Sequence, residues 1–488
     1  MSERWEFGTA GLRAPLGDGP GQFNRAVVAR AAAGLAAWLI EHEPHPVVVV
    51  GYDARHQSDA FARECVAVLA GAGVRTLLMP GRIPTPVLAF AIGHLGASAG
   101  VMVTASHNPA SDNGLKIYLG DTTLVAAPVD AGIAARMAAV GPVDAIPRSD
   151  SHETLDESIV EAYVTAVAGP EPRPRSSLTV AYTPLHGVGA AVFLAVAERA
   201  GFTDVHVVAE QAEPDPEFPT VPYPNPEEPG ALDRVLALAE RIDADLVLAH
   251  DPDADRCAVA VRTEAGLTVL SGDEVGVLLA DDLLSRGVTG TFASTLVSSE
   301  LLGELAEAHG QRWVQTLTGF KWLGKVPDLA FAYEEALGYC VNPAVSRDKD
   351  GIAAALAVMV LADRLREAGR TLLDRRDELY RAYGTHLTRQ VSVRVHDSAE
   401  AHTVMERLHA SPPASLGGFT VRTVDDLRDG YRGLPPTDGV RLGLDQGRVI
   451  VRPSGTEPKL KAYIEAHDAN ALAGIAEALG PLLGNRVS

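Results

Sequence analysis

Val47-Val48-Val49-Val50-Gly51 is an almost pure valine run that stops at a glycine. Such a run, with no polar alternation, indicates a strand buried on both faces. Ser58 lies where it could cap a following helix, because a serine oxygen can accept a backbone N–H of the first turn. The next apolar residues recur at helical spacing until Gly71 and Gly73: Phe61, Cys65, Val68 and Leu69. One strand–loop–helix unit is predicted here.

The same order recurs along the chain. Further strands are predicted at 99–104, 178–182, 205–208, 246–249 and 257–261, and near Phe292. Helices are predicted at 190–200, 273–284 and 352–367. The last hundred residues differ, with strand-like runs at 391–395, 449–451 and 462–465 and helices between them. Apolar strands that alternate with helices predict an α/β fold with mostly parallel sheets.

Size and charge limit the class of protein. The chain has 488 residues, which indicates several domains, because single cores stop growing near ~250–300 residues. Its net charge is −21, from 42 Lys and Arg against 63 Asp and Glu. A surface this acidic argues against nucleic acid or an anionic membrane as a partner. A site for an anionic small molecule would need a local basic pocket.

The cysteines and the first residues indicate the compartment. Cys65, Cys257 and Cys340 form an odd set without CxxC spacing, which argues against a disulfide framework or a thiolate metal site. The opening residues Met1-Ser-Glu-Arg-Trp-Glu lack the pattern of a secretion signal. No apolar run approaches the ~18 residues of a membrane helix. A soluble, cytoplasmic protein is expected.

The first loop whose residues could take part in catalysis is Thr104-Ala-Ser106-His107-Asn-Pro109, which runs on to Lys116. It follows a predicted buried strand, and open α/β sheets place their sites at the carboxyl ends of strands. A serine on a tight turn beside a histidine and near a lysine could be a nucleophile or a phosphoryl carrier. The alternative is a turn that is merely rich in small polar residues.

The second loop is Asp251-Pro-Asp253-Ala-Asp255-Arg256, between two apolar strands. Alternate residues of an extended segment point the same way, so the three carboxylates should converge and raise one another's pKa. A divalent cation relieves this repulsion, and three oxygen ligands with open positions suit Mg²⁺ at a phosphate. An EF-hand is excluded by Arg256 and Arg262 at loop positions six and twelve. A DxDxT phosphatase motif fits poorly because Asp255 stands fifth; a solvated acidic turn is the remaining alternative.

Two more loops could bind a substrate. The segment 333–339, Tyr-Glu-Glu-Ala-Leu-Gly-Tyr, offers paired carboxylates as acceptors for sugar hydroxyls, although an ordinary helix start explains it equally well. The segment Arg452-Pro-Ser-Gly-Thr-Glu-Pro-Lys459 supplies the local basic pocket that the net charge demands. Its arginine fork, hydroxyls and glycine backbone are all groups that bind phosphate, and a surface turn is the alternative.

In this order and spacing, the four loops resemble the α-D-phosphohexomutase superfamily, over nearly the whole chain from Gly8-Thr-Ala-Gly-Leu-Arg13 to Tyr463. Thr318-Gly-Phe-Lys321-Trp and Arg347-Asp-Lys-Asp350 are similar to its phosphoglucomutase/phosphopentomutase branch. The resemblance implies three α/β domains with mixed sheets and a smaller α+β C-terminal domain with an antiparallel sheet, around a central cleft. The boundaries we expect are 1–172, 173–264, 265–386 and 387–488.

Matched by position, the resemblance implies a catalytic set: Ser106, His107, Lys116, Arg13 and Arg256. It implies a substrate-binding set: Thr318, Gly319, Lys321, Glu334, Glu335, Arg452, Ser454, Gly455 and Thr456. It implies one Mg²⁺ per chain, held by Asp251, Asp253, Asp255 and an oxygen of phosphorylated Ser106. Within these sets, Lys116 is a candidate for proton handling, and the Arg452 loop would hold the phosphate that does not react.

The implied activity is a phosphosugar mutase that works through phosphoserine and a sugar bisphosphate, which also serves as activator. Glucose 1-phosphate is the first substrate expected, mannose 1-phosphate the second and a pentose 1-phosphate the third. Many hexose-specific members carry a serine in the sugar loop where this chain has Ala336 and Leu337. The competing interpretations are a phosphatase-like hydrolase with Asp251 as nucleophile, and a regulator that binds phosphosugars without chemistry.

Overall fold

The computed structural model describes residues 5, 7–19, 21–169, 175–453 and 459–484. These residues form two compact units. The first unit comprises the described residues up to Val275 together with Gly319–Arg370, and the second comprises Gly276–Thr318 with the described residues from Thr371 onward. The proline-rich segment 170–174, whose composition favours a linker, lies outside the described residues. The four domain boundaries stay a prediction.

The N-terminal part of the first unit is a mixed sheet with helices packed on it. Its elements are β1 (Leu12–Pro15), α1 (Arg25–His42), β2 (Val47–Tyr52), α2 (Ser58–Gly71), β3 (Arg75–Arg82), α3 (Thr85–Leu95), β4 (Ala99–Val103), β5 (Asp112–Leu119), α4 (Val129–Ala139), β6 (Glu153–Thr154) and α5 (Ser158–Ala168). The strand order is β1-β5-β4-β2-β3-β6. The β2 strand, which contains the valine run, pairs in parallel with β3 and β4, whereas β5 runs antiparallel to β4.

The start of α2 differs from the prediction. Ser58 is the first helical residue rather than its cap, and the preceding Gln57 has a left-handed backbone without a side-chain cap. The Ser58 hydroxyl donates instead to Asp53 Oδ1 at 2.7 Å. A hydrogen bond that the hydroxyl donates to a carboxylate is stronger than one that it accepts from a backbone N–H, which explains the exchange.

A second sheet follows in the first unit. Its elements are β7 (Val180–Thr183), α6 (Ala190–Arg199), β8 (Val205–Val207), α7 (Asp233–Ile242), β9 (Leu246–His250), β10 (Cys257–Thr263) and β11 (Gly266–Val269). The strand order is β11-β10-β9-β7-β8, parallel around β7 and antiparallel from β9 to β11. The acidic loop is the connection between β9 and β10. The sheet topology therefore places it at the carboxyl end of a fully buried strand.

The next stretch alternates helices with short strands. Its elements are α8 (Gly272–Ser285), β12 (Thr291–Thr295), α9 (Leu301–Ala308), β13 (Arg312–Thr316), α10 (Phe320–Leu323), β14 (Leu329–Glu334), β15 (Gly338–Cys340), α11 (Gly351–Glu367) and α12 (Leu372–Tyr383). In the second unit β12 pairs with β13 in parallel, and in the first unit β14 and β15 form an antiparallel hairpin. The predicted helix around 273–284 and the strand near Phe292 are confirmed.

The C-terminal part of the second unit is built on an antiparallel sheet. Its elements are β16 (Leu387–Arg394), α13 (Ser398–Ala410), β17 (Ser415–Leu416), β18 (Phe419–Asp426), β19 (Val440–Leu444), β20 (Gly447–Pro453), β21 (Lys459–Ala466) and α14 (Ala469–Leu483). The strand order is β16-β21-β20-β19-β18-β17, and α13 and α14 cover its apolar face. The fold class is confirmed: α/β with mixed sheets and an antiparallel C-terminal sheet. None of the described helices has the length and apolar character needed to span a bilayer.

Candidate active site and metal centre

Ser106 lies in a tight turn directly after β4. Its backbone has φ +51°, in the left-handed region that residues other than glycine rarely adopt. Its N–H donates to Thr104 Oγ1 at 2.8 Å, and its side chain is buried. The hydroxyl donates to Asp251 Oδ2 at 2.8 Å. The structure thus brings the serine loop and the acidic loop, 145 residues apart, into direct contact.

The guanidinium of Arg55 holds the serine loop in this shape. It donates to the carbonyl oxygens of Ser106 and Asn108 at 2.5 Å each, of Pro109 at 2.7 Å and of Asp112 at 3.1 Å. The residues that keep Arg55 in place are a buried carboxylate, Asp53, 3.5 Å from Nε, and the ring of Phe218, 5.0 Å below the guanidinium carbon. Because one rigid fork binds four carbonyls of the loop, the path of its backbone is strongly constrained.

The acidic loop is a turn rather than an extended segment. The N–H of Ala254 donates to the carbonyl of Asp251 at 2.9 Å, and Ala254 has φ +55°. The carboxylates of Asp251, Asp253 and Asp255 do converge, with one ligand oxygen from each within 4.8 Å of the others, and all three are buried. Convergence is therefore confirmed, although its cause is the folded turn and not the alternation of an extended strand.

Gly187, in the turn between β7 and α6, packs against the acidic loop. A Cβ built on Gly187 would lie 2.4 Å from Pro252 Cα, so only glycine permits this close approach. The N–H of Val188 donates to the carbonyl of Pro252 at 2.9 Å. The turn thus fixes the second residue of the acidic loop.

Two lysines reach the aspartates. Lys116 Nζ donates to Asp253 Oδ2 at 2.6 Å and to Asp255 Oδ2 at 2.5 Å, and Lys349 Nζ lies 3.5 Å from Asp255 Oδ2. Lys116 reaches this side because β5 alternates: Leu115 and Ile117 enter the apolar core, and the side chain between them points the other way. Its ammonium is fully buried between the two carboxylates.

These contacts set the charge states. Burial raises the pKa of Asp251, and the charges of Asp253 and Asp255 add to this effect. Burial alone would also raise the pKa of Asp255, but the charges of Lys116, Lys349 and Arg256 outweigh it and lower that pKa. Burial and the charge of Asp255 would raise the pKa of Asp253, but the charge and hydrogen bond of Lys116 and the hydrogen bond of Thr85 together outweigh them and lower it. The predicted mutual rise in pKa is thus seen for Asp251 alone.

The cluster fits a divalent cation. Among the described residues, no hydrogen-bond donor reaches Asp253 Oδ1 or Asp255 Oδ1, although both atoms are buried. A buried carboxylate oxygen without a donor is costly unless a cation binds it. Oxygen ligands from carboxylates, with positions left for water or phosphate, are the donor set that Mg²⁺ prefers. The three aspartates can therefore hold a metal ion.

The remaining predicted catalytic residues surround this cluster. Arg13 Nη1 donates to Asn108 Oδ1 at 3.4 Å, and its Nε has no hydrogen-bond partner among the described residues. Arg256 Nη1 donates to Glu227 Oε2 at 2.9 Å. Burial, with the charges of Arg256 and Arg13, lowers the pKa of His107 well below its ordinary value, so this imidazole is neutral. Arg13 and Arg256 thus lie near the aspartate cluster, since each interacts electrostatically with Asp251 and Asp255.

The sugar-loop segment is the turn of the β14–β15 hairpin and not a helix start. Leu337 at its tip has φ +63°, and Arg256 of the acidic loop forms a backbone bridge with Gly338. Burial raises the pKa of Glu334 to about 7, against the lowering effect of Lys349 and Arg256. The structure therefore brings Glu334 and Glu335 to the same end of the first unit as the aspartates.

The other predicted substrate-binding residues divide between the units. In the first unit, Gly319 has φ +108° and approaches Thr9, and Lys321 Nζ donates to the carbonyl of Gly8 at 3.2 Å. In the second unit, Arg452 Nη1 donates to Thr318 Oγ1. Ser454, Gly455 and Thr456 lie outside the described residues.

Sequence reasoning missed Arg55, Thr85 and Lys349. Thr85, at the start of α3, donates both its hydroxyl and its backbone N–H to Asp253. The sequence held a signal for two of these three residues. Arg55 follows the valine strand at its carboxyl end, as the serine loop follows β4. Lys349 belongs to the stretch 347–350, which resembles the phosphoglucomutase/phosphopentomutase branch and was not assigned to the site.

The chain matches four domain profiles described as phosphoglucomutase/phosphomannomutase: α/β/α domain I over residues 4–142, domain II over 161–266, domain III over 271–383 and the C-terminal domain over 391–480. A probable phosphomannomutase of Haemophilus influenzae is 44% identical over 91% of this chain and 93% of its own length. A probable phosphoribomutase of Schizosaccharomyces pombe is 35% identical over 95% and 87%. A phosphoglucomutase of Staphylococcus haemolyticus is 33% identical over 95% and 90%.

Solved structures agree with this assignment. A Thermus thermophilus protein described as a phosphomannomutase superposes with a TM-score of 0.81 at 26% identity, over 99% of this chain and all of the other. A phosphoglucomutase/phosphomannomutase family protein of Burkholderia thailandensis, at 20% identity and a TM-score of 0.76, shows the same fold. The chain belongs to the phosphoglucomutase/phosphomannomutase family of the α-D-phosphohexomutase superfamily and is a phosphosugar mutase.

Proposed function

We propose that the protein interconverts a hexose 1-phosphate and a hexose 6-phosphate through a phosphorylated Ser106. The observation that carries this proposal is the 2.8 Å hydrogen bond from the buried Ser106 hydroxyl to Asp251, within a cluster of three aspartates. In the first half-reaction the bond between Ser106 Oγ and phosphorus breaks, a bond from phosphorus to a sugar hydroxyl oxygen forms, and the proton of that hydroxyl ends on Ser106 Oγ. The resulting sugar bisphosphate reorients in the site, and its other phosphate is then transferred to Ser106, which regenerates the phosphoserine.

The positively charged side chains of the protein would neutralise much of the charge that develops during phosphoryl transfer. Phosphoryl transfer depends on positioning and on neutralising charge at the moving group. Arg13 and Arg256 would contribute to this, because each interacts electrostatically with Asp251, the hydrogen-bond partner of Ser106. Bound Mg²⁺ would supply additional charge neutralisation, with Asp251, Asp253 and Asp255 as its protein ligands. Lys116 is a protonated ammonium between two carboxylates, since their charges raise its pKa against the effect of burial. It is therefore suited to donate a proton rather than to accept one.

The ends of the sugar phosphate are assigned to different loops. Glu334 and Glu335 would accept hydrogen bonds from sugar hydroxyls, because two carboxylates stand in one hairpin turn. Gly319 and Lys321 belong to the same proposed sugar-binding set. Arg452 with Thr318, and with the residues 454–456 that follow it in sequence, would bind the phosphate that does not react.

Glucose is the first sugar to test and mannose the second. The mannose proposal is supported by the relative from H. influenzae, which has the highest identity of those given above. A pentose phosphate is a third possibility, supported by the S. pombe relative. Comparing kcat/KM for glucose, mannose, ribose and deoxyribose 1-phosphates would rank them.

A single serine substitution tests the mechanism. Ser106→Ala should lose both isomer exchange and the uptake of labelled phosphate from glucose 1,6-bisphosphate. Ser111→Ala is a matched control, because Ser111 lies exposed in the same loop and its hydroxyl, among the described residues, donates to Asp112 alone. Turnover at the wild-type rate by Ser106→Ala would reject the phosphoserine. Release of free phosphate together with a hydroxylamine-labile label on Asp251 would favour the hydrolase instead.

A further inference from the structure

The carboxylates of Asp253 and Asp255 each have one oxygen engaged by the protein and one oxygen free. Asp253 Oδ2 accepts hydrogen bonds from Lys116 Nζ at 2.6 Å and from the Thr85 hydroxyl. Asp255 Oδ2 accepts from the same ammonium at 2.5 Å. Oδ1 of each residue is buried and has no hydrogen-bond donor among the described residues. A single ammonium thus occupies one oxygen of two different carboxylates.

Asp251 differs from the other two aspartates, because both of its oxygens accept a hydrogen bond. Asp251 Oδ2 accepts from the Ser106 hydroxyl, and Asp251 Oδ1 accepts from the backbone N–H of Arg256 at 3.1 Å. No carboxylate of the cluster has both oxygens free. A metal ion that enters this site therefore meets one free oxygen on Asp253, one on Asp255 and, once phosphorylation removes the Ser106 hydroxyl hydrogen, one on Asp251.

The number of oxygens per carboxylate separates the two common divalent cations of cells. Mg²⁺ takes six ligands at short distances in near-ideal octahedral geometry and retains water. Ca²⁺ takes six to eight oxygens at longer distances and commonly binds carboxylates through both oxygens. A site whose carboxylates are limited to one oxygen each is complete for Mg²⁺ and short of ligands for Ca²⁺.

We propose that Lys116, assisted by Thr85, determines the metal selectivity of this site by blocking the second oxygen of Asp253 and Asp255. The proposal rests on the metal centre of the proposed function and adds a role for residues outside the ligand set. Lys116 is fixed for this role because it is fully buried at the middle of β5. Thr85 is fixed because its backbone N–H also donates to the carbonyl of Asp253, at 2.9 Å.

Selectivity distinguishes this role from a general electrostatic one. Removing an ammonium makes the cluster more negative and strengthens the binding of every divalent cation alike. Damage to the fold weakens the binding of every divalent cation alike. Only the release of a carboxylate oxygen changes the affinity for Ca²⁺ relative to Mg²⁺, so the ratio of the two dissociation constants is the informative quantity.

The test is calorimetric titration of the full-length protein with MgCl₂ and, separately, with CaCl₂. Lys116→Met removes the ammonium with little change in volume, and Thr85→Val removes the hydroxyl at constant shape. Thr85→Ser, which keeps the hydroxyl, is the matched control. We expect the ratio of affinities to move toward Ca²⁺ by about tenfold or more in Lys116→Met and by roughly two- to fivefold in Thr85→Val. Thr85→Ser should keep the wild-type ratio.

The outcomes separate this inference from the proposed function. If the wild-type protein binds neither ion, the metal centre itself is wrong. If the wild type binds Mg²⁺ and both variants keep its ratio of affinities, the metal centre stands and the selectivity role is overturned. If Lys116→Met does not fold, Thr85→Val against Thr85→Ser decides, and an unchanged ratio there overturns the proposal.

Discussion

Replacing Arg55 with methionine should loosen the loop that carries Ser106 without removing any group from the chemistry. Arg55 donates to four carbonyl oxygens of that loop and pairs with the buried Asp53. Methionine has a similar length and no donors, so it fills the space over Phe218 but binds none of these carbonyls. The substitution therefore tests whether the left-handed backbone of Ser106 depends on this one side chain.

The size of the loss in loop stability follows from the groups that Arg55 leaves without a partner. Asp53 would lose its ion-pair partner while still buried, and breaking a buried pair costs about 3–5 kcal/mol. The carbonyls of Asn108, Pro109 and Asp112 belong to partly exposed residues, so water can replace most of their lost hydrogen bonds. We therefore expect the free energy of opening the loop to fall by about 3–5 kcal/mol, which raises the equilibrium constant for opening by roughly two to four powers of ten.

Hydrogen exchange of peptides that cover residues 104–112 measures this opening directly. The amides of Ser106, Asn108 and Asp112 report on it, since each is hydrogen-bonded within the loop. Arg75→Met is the matched control, because Arg75 makes an exposed pair with Glu153, and its loss should leave these peptides unchanged. The double variant Asp53→Asn, Arg55→Met should recover part of the protection, because it removes the stranded charge. Protection in Arg55→Met equal to that of the wild type would refute the reasoning.

Three further outcomes are expected. Mg²⁺ at about a hundred times its Kd should stabilise the wild-type protein by about 2.7 kcal/mol in thermal unfolding, and Asp253→Asn should lose this gain; an equal gain in the variant would contradict the ligand assignment. Because the pKa of Glu334 is raised to about 7, kcat/KM should rise through pH 7, and Glu334→Gln should lack this inflection; an unchanged profile would assign it to another group. Burial alone would lower the pKa of His386, but its hydrogen bond and charge interaction with Glu465 raise it. The stability from this pair is complete below the ordinary histidine pKa of about 6.5 and is lost as the pH rises through the raised value. The urea midpoint of Glu465→Gln should therefore differ most from that of the wild type at low pH, and a pH-independent difference would count against the pair.

Local patterns accounted for most of the secondary structure. The strands expected at 246–249 and 257–261 are found as Leu246–His250 and Cys257–Thr263, and the helix expected at 352–367 as Gly351–Glu367. Runs of β-branched residues and helical spacing are properties of neighbours in sequence, so they survive any arrangement of the sheets. The turn that holds the three aspartates was misjudged, because the left-handed backbone of Ala254 is not encoded in a residue type that favours it.

The residues of the candidate site also fall into two groups, those that the sequence revealed and those that it did not. The serine, aspartate, glutamate and arginine loops were recognisable because each concentrates its chemical groups within a few residues. The partners that position them were not recognisable, because each comes from a distant element. Lys116 and Asp253 are 137 residues apart, and Thr85 and Asp253 are 168 residues apart. Such contacts depend on the order of strands in two sheets and on which face of β5 is buried.

The order of residues alone therefore determined the fold class, the chemical groups of the reaction and the loops that carry them. Only the tertiary structure decided that Arg55 shapes the serine loop and that one ammonium is shared between Asp253 and Asp255. The reason is physical: the identity of a group is a property of one residue, but the number of free oxygens on a buried carboxylate is a property of everything packed around it.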